Sequence, residues 1–181
     1  WLRTHAPCDV RVDVIGPGEE TKTKTLNTTA STDNTAVARF QDLTPETGYT
    51  YAISADTAAP VRGTFTTFGP AQTQRVLRLG YGYGYSPGQR MTNKDSIFAL
   101  MAQRKPDFVL FIGDFPYTSQ GKRAEIHTQN KVIRSNEGFA LLTRETPTCA
   151  VWDDHDFGPN DCDGTHPNAA EALVAFKDYW A

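Results

Sequence analysis

The stretch Pro106-Asp-Phe-Val-Leu-Phe-Ile-Gly-Asp-Phe-Pro-Tyr117 decides the fold. Its centre, Phe108 to Ile112, is a short continuous apolar run, the length of a buried strand. Gly113 lets the backbone turn sharply, so that Asp114 projects over the strand's carboxyl end. Upstream, Ser96-Ile-Phe-Ala-Leu-Met-Ala-Gln103 spaces its apolar residues as an amphipathic helix does, with Asn93 or Asp95 as its cap and Pro106 ending it. Before that helix, Val76-Leu-Arg-Leu79 predicts a strand that runs into Gly80-Tyr-Gly-Tyr-Gly-Tyr85. Downstream, Thr148-Cys-Ala-Val-Trp152 predicts a third strand. Apolar strands alternating with helical segments indicate a parallel sheet covered on both faces. Sites in such sheets lie at the carboxyl ends of the strands.

The first 69 residues follow a different grammar. Val10-Arg-Val-Asp-Val-Ile15 alternates apolar and polar residues, and Gly16-Pro-Gly18 ends it with turn chemistry. Segments around Lys22 to Leu26 and Ala36 to Phe40 continue the strand pattern, with Asp33-Asn34 as a turn. In Leu43-Thr-Pro-Glu-Thr-Gly-Tyr-Thr-Tyr-Ala-Ile53, a turn at Pro45 and Gly48 precedes a tyrosine that opens a strand. This resembles the tyrosine corner of immunoglobulin-like and fibronectin type III sandwiches, in which the Tyr49 hydroxyl bonds backbone a few residues upstream. Arg62 to Phe68 is expected to close the sandwich. The expected domains are residues 1–69, an all-β sandwich, and 70–181, the first part of an α/β domain.

Bulk properties exclude several classes. The 181 residues are 39% hydrophobic with a net charge of −3 and no Lys/Arg-rich run. The footprint of a nucleic-acid binder and of a basic membrane-surface helix is therefore missing. No apolar run approaches the ~20 residues of a membrane span. The sequence starts at Trp1 without an initiator Met or leader, and Ala169 to Trp180 reads as a helix that stops uncapped. Both ends read as cut. Cys8, Cys149 and Cys162 form no C-x-x-C spacing, which leaves either one pair and a free thiol or three free thiols. Oligomeric state is not legible.

Two polar clusters carry the chemistry. Gly113-Asp114-Phe-Pro-Tyr117 follows one strand, and Trp152-Asp153-Asp154-His155-Asp156-Phe-Gly-Pro-Asn160 follows the next. Three carboxylates within four residues repel one another unless a cation, protons or solvent compensates. Oxygen-rich sets of this kind suit Ca²⁺, Mg²⁺, Mn²⁺ or Fe³⁺ rather than thiolate-bound structural zinc.

With these two motifs, in this order, the sequence resembles the alkaline phosphatase D (PhoD-like) group of the calcineurin-like metallophosphoesterases. The opening Trp1-Leu-Arg-Thr4 and the preceding sandwich fit the same family. The resemblance implies an immunoglobulin/fibronectin-III-like sandwich followed by a truncated four-layer αββα metallophosphoesterase domain. It implies hydrolysis of small phosphate mono- or diesters in an exported, periplasmic or extracellular protein, with calcium and iron as cofactors and manganese, magnesium or zinc as alternatives. By that resemblance Asp114 bridges the metals, Tyr117 is a phenolate ligand of a ferric ion, and Asp154 stands where the superfamily has a metal-binding Asn. His155 donates to the phosphoryl or leaving oxygen, Asp156 orients His155 by accepting its ring proton, and Asp153 and Asn160 are further ligands.

The chain departs from that family in two places. The ligand expected at the end of the first sheet strand, a Cys or Asp, falls near Tyr83 or Gly84; of these only a tyrosine could bind iron, as a phenolate. The Gly-Tyr run is otherwise read as a flexible loop or an aromatic wall of a cleft. The family's remaining ligands lie beyond residue 181, so the chain by itself is expected to be inactive. His166 is read as a loop histidine, and Asp161-Cys-Asp-Gly164 does not complete a calcium loop. The alternative reading is a degenerate, non-catalytic relative that binds phosphate-containing ligands or a partner. An adhesion module built on the sandwich alone ranks last, because it leaves both acidic clusters unexplained.

Overall fold

The computed structural model describes residues 1–56, 58–86 and 94–180, the side chains of 94–96 excepted. The chain divides into two compact units, Trp1–Val76 and Leu77–Ala181.

In the first unit, β2 (Asp9–Ile15), β3 (Thr21–Asn27), β5 (Gly48–Ala55) and β6 (Val61–Thr66) form an antiparallel sheet in the order β3-β2-β5-β6. A second antiparallel pair joins β1 (Leu2–Arg3) to β4 (Thr35–Ala36). The period-two pattern of β2 turns Val10, Val12 and Val14 inward and leaves Arg11 exposed. Leu2 from one sheet packs with Val10 and Val12 from the other, together with Leu26, Ala36 and Ile53. The Tyr49 hydroxyl accepts the Thr44 N–H at 2.9 Å, and its ring stacks on Phe65. Asp33 and Asn34 take left-handed φ values of 53° and 61°, which makes the expected turn before β4. The strand pattern expected through Phe40 is paired only at Thr35–Ala36. Ala38 and Phe40 still pack on the core, so this segment keeps its apolar contacts after its backbone leaves the ladder.

In the second unit, β7 (Leu79–Gly82), β8 (Phe108–Ile112) and β9 (Thr148–Val151) form a parallel sheet in that order. Among the described residues the α-helices are α1 (Lys94–Gln103), α2 (Arg123–Arg134), α3 (Glu137–Glu145) and α4 (Ala169–Tyr179). Of the two caps expected for α1, Asn93 and the Asp95 side chain both lie outside the described residues. All three cysteines are unpaired.

The first strand is displaced from its expected place: it spans Leu79–Gly82 rather than Val76–Leu79. Register explains the shift, because Gly80 and Gly82 lie beside Val109 and Phe111. A Cβ on Gly80 would sit 3.1 Å from Val109 and 3.2 Å from Met101, so glycine admits the helix and the neighbouring strand at close range.

Only one face of this sheet is covered among the described residues, contrary to the expectation of two. On the covered face Val109 and Phe111 are buried against Phe98 of α1, Ile133 of α2, and Phe139 and Leu142 of α3. The opposite face leaves Leu79, Tyr81 and Val151 at 57%, 71% and 53% exposure. Helices α2 and α4 are tied by Asp178, which meets Arg123 at 2.8 Å and His127 at 2.9 Å. The Arg134 guanidinium lies 4.5 Å from the Trp180 ring and donates to the Tyr179 carbonyl.

Candidate metal centre

The centre forms where the loops after β8 and β9 meet. Gly113 has φ 113°, a conformation that L side chains rarely adopt. A Cβ there would approach the Asp153 Cβ to 2.6 Å, so glycine is what lets the two loops touch. Asp114 follows with φ 53° and is buried at 3% exposure. Asp is among the few non-glycine residues at home in that region.

The loop after β9 folds Asp154-His155-Asp156 into a single 3₁₀ turn. Asp153 caps it by accepting the Asp154 N–H at 2.9 Å. Asp156 binds both loops at once. Its Oδ2 accepts N–H groups from Asp114 at 2.7 Å and Asp153 at 2.8 Å, and its Oδ1 accepts that of Phe115 at 3.0 Å. The His155 N–H points at the Oδ1 atoms of Asp154 (2.8 Å) and Asp114 (3.3 Å), and the Asp161 N–H donates to Asp154 Oδ2.

The role expected for Asp156 as the acceptor of the His155 ring proton is therefore corrected. Its oxygens face backbone N–H groups, while His155 Nδ1 lies 3.1 Å from the Thr118 carbonyl. A carbonyl only accepts, so Nδ1 carries the proton that orients the ring. His155 Nε2 faces Asn160 Oδ1 at 3.3 Å, and the Asn160 amide donates to Asp161. The Tyr117 ring stacks on His155 with centroids 3.8 Å apart. Tyr83, just past β7, hydrogen-bonds the Asp114 carboxylate through its hydroxyl.

Asp114, Asp154 and His155 each offer a ligand atom, all within 4.8 Å of one another. Two unit charges at that spacing repel by about 3 kcal/mol at an effective dielectric near 20. Burial raises the Asp114 carboxyl above its ordinary value, with hydrogen bonding from Tyr83 opposing it and the Asp154 charge adding to it. Burial likewise pushes Asp156 up to about 6, against the three backbone N–H groups that favour its charged form. The Tyr117 phenol is raised by burial and then by Asp114 and Asp154. Two carboxylates aimed by the His155 backbone N–H, with the His155 ring held beside them by the Thr118 carbonyl, fit a hard or borderline cation.

Of the residues expected at a site, the structure brings Asp114, Asp154, His155 and Tyr117 together. It places Asp153 and Asp156 in the turn that holds them, and Asn160 against His155 and Asp161. His166 accepts the Asn168 N–H in the following loop, and Asp163 accepts from Thr165. Sequence reasoning missed Thr118, whose contribution is a backbone carbonyl and leaves no mark in residue type. Of the two positions expected at the end of the first sheet strand, Tyr83 and Gly84, it is Tyr83 that touches Asp114.

No family model matches the sequence, and no curated protein matches it. Among solved structures the chain is similar to one titled "Structure of PhoD", with a TM-score of 0.82 and 14% identity over 97% of this chain. The likeness is one of fold. The chain spans 40% of the length of that structure. A Parabacteroides merdae β-glucuronidase structure overlaps at a TM-score of 0.33 and 12% identity, over 96% of this chain and 28% of its own, and carries no argument.

Proposed function

We propose that the chain is the front part of a metal-dependent phosphoester hydrolase of the alkaline phosphatase D type, exported and acting on small phosphate mono- or diesters. The observation that carries this reading is the Asp114–Asp154–His155 cluster at the carboxyl ends of two adjacent parallel strands. The fold likeness to PhoD supports it. Activity is proposed for the whole protein, since the chain spans less than half of that structure.

Asp114 and Asp154 hold the cations, calcium and iron first, with Tyr117 as a phenolate partner. Metal ions held there supply the positive charge that a phosphoryl group calls for and acidify water near neutral pH. His155, aimed by the Thr118 carbonyl and the Tyr117 ring, donates a proton to the leaving oxygen, a role typically worth about 10²–10⁴ in rate. In architecture, the first unit reads as an immunoglobulin/fibronectin-III-like sandwich, supported by the Tyr49–Thr44 bond. The second reads as half of a four-layer αββα domain, supported by the uncovered apolar face at Leu79, Tyr81 and Val151.

The test is hydrolysis of p-nitrophenyl phosphate and bis-p-nitrophenyl phosphate by the metal-loaded whole protein and its Asp114→Asn variant. Asn is suited to the φ of this position, so loss of turnover in the variant reports the carboxylate rather than a misfolded loop. The preferred ester gives the substrate class. Equal turnover by both proteins, or none from folded metal-loaded protein, overturns the reading. The second outcome favours a phosphate-binding or partner-binding relative, whose motivation is that Gly80 to Ser86 offers no carboxylate or thiol.

A further inference from the structure

We propose that Thr118 and Glu125 are positioning residues for His155, because together they hold a strap, residues 118–121, that fixes which ring nitrogen keeps the resting proton. The inference rests on the reading of His155 as proton donor given above. The strap lies against the His155 turn, and Thr118, buried at 3% exposure, is its point of attachment. The Thr118 N–H donates to the His155 carbonyl at 2.9 Å, and its hydroxyl donates to the same oxygen. Its own carbonyl lies 3.1 Å from His155 Nδ1. Further along, Gly121 takes φ 65° and sits so close to the turn that a Cβ there would run into the Phe157 carbonyl.

The strap is held from another element. Glu125, in the first turn of α2, accepts the Ser119 N–H and hydroxyl on Oε1, both at 3.0 Å, and the Gln120 N–H on Oε2 at 2.9 Å. Ser119 and Gln120 are exposed, so apolar burial does not fix them and the carboxylate does. The Asn168 amide adds a bond to the Gln120 carbonyl at 2.8 Å. This hold matters because the His155 ring has an acceptor at each nitrogen. The Thr118 carbonyl faces Nδ1, and Asn160 Oδ1 faces Nε2 at 3.3 Å, its amide being turned to Asp161. A neutral imidazole has one proton for the two. With the strap in place, Nδ1 keeps that proton on the Thr118 carbonyl. Nε2 is then the nitrogen that takes a proton from solvent and passes it to the leaving oxygen as the P–O bond breaks. With the strap loosened, the resting proton moves to Nε2 against Asn160 and the ring loses its aim.

The experiment is nitrogen NMR of the metal-free whole protein carrying ¹⁵N-labelled histidine, at about pH 9, where an imidazole holds one proton. His155 is assigned by the loss of its signals in His155→Gln. Wild type is expected to show the Nδ1–H tautomer. Thr118→Val keeps the side-chain shape and drops the hydroxyl, and Glu125→Ala puts a good helix former in the first turn of α2. Each is expected to show Nε2–H or a mixture, and Thr118→Ser, which keeps the hydroxyl, to match wild type. The metal-loaded whole protein is then assayed on phenyl esters, whose leaving oxygen needs a proton, and on p-nitrophenyl esters, whose leaving oxygen needs it far less. Thr118→Val and Glu125→Ala are expected to lose about tenfold in kcat on the phenyl ester and less on the other, with KM unchanged. Nε2–H in wild type, or Nδ1–H retained in both folded variants, overturns the inference, and so does an equal loss on the two esters. An inactive whole protein whose tautomer shifts as stated overturns the phosphoesterase reading and leaves the positioning of His155 standing.

Discussion

Asp156 Oδ2 accepts the backbone N–H of Asp114 at 2.7 Å, so a residue of the second loop fixes the geometry of the first. The same carboxylate accepts from Phe115 and Asp153, which makes one buried side chain the junction of both loops. Replacing it with Ala orphans three backbone donors, each worth about 1–3 kcal/mol when buried without a partner. Asp156→Asn is expected to be nearly as damaging, because its amide turns a donor toward N–H groups. Urea unfolding of both variants is expected to show a loss of about 3 kcal/mol or more. Metal affinity is expected to fall with it, as measured by dialysis at a urea concentration where both proteins remain folded.

The same residue sets a pH dependence. Burial lifts Asp156 to about 6, above the ~3.9 of an unfolded aspartate. Between those values the native state holds the proton more tightly than the unfolded chain, so stability falls as pH rises from ~4 to ~6 and the contribution is complete below ~4. The change is about 3 kcal/mol at most. It is read as the difference between wild type and Asp156→Asn in chelator-treated protein at three pH values. A constant difference across that window would refute the assignment.

Removing the Asp114 charge is expected to separate stability from binding. In chelator, Asp114→Asn relieves a repulsion of about 3 kcal/mol from Asp154, partly screened, and its melting temperature is expected to rise. With metal present the order reverses. A cation at 100 times its Kd stabilises wild type by about 2.7 kcal/mol and leaves the variant unmoved. Differential scanning calorimetry with and without metal reads both signs.

Gly113→Ala tests the contact between the loops. The substitution meets both an unfavourable φ of 113° and the Asp153 Cβ at 2.6 Å. A loss of about 2 kcal/mol or more is expected, with faster amide exchange at Asp114 and His155 than at Val109.

Legibility of the fold followed the strength of local patterns. Phe108–Ile112 is a bounded apolar run, and the structure has a strand over those same residues. The first strand was displaced because Gly80 and Gly82 read as loop residues, whereas they are small to let Met101 and Phe111 approach. Helices α2 and α3 were not read at all, although Ile126, Asn130 and Ile133 mark one buried face and Asn136 caps the next helix through its side chain. The site was legible where residue type carries the chemistry, at Asp114, Asp154 and His155. It was illegible where the backbone carries it. No residue pattern announces that Asp156 receives three N–H groups, or that the Thr118 carbonyl rather than a carboxylate holds the His155 ring.

The backbone N–H group that aims Asp114 and Asp154 also bears on how quickly the proposed centre would fill. Because both carboxylates are held in place by the His155 N–H before a cation arrives, loading calls for no folding step. Were the centre to take up a cation as proposed, the barrier to capture would be the shedding of the ion's own hydration water rather than a rearrangement of the loops.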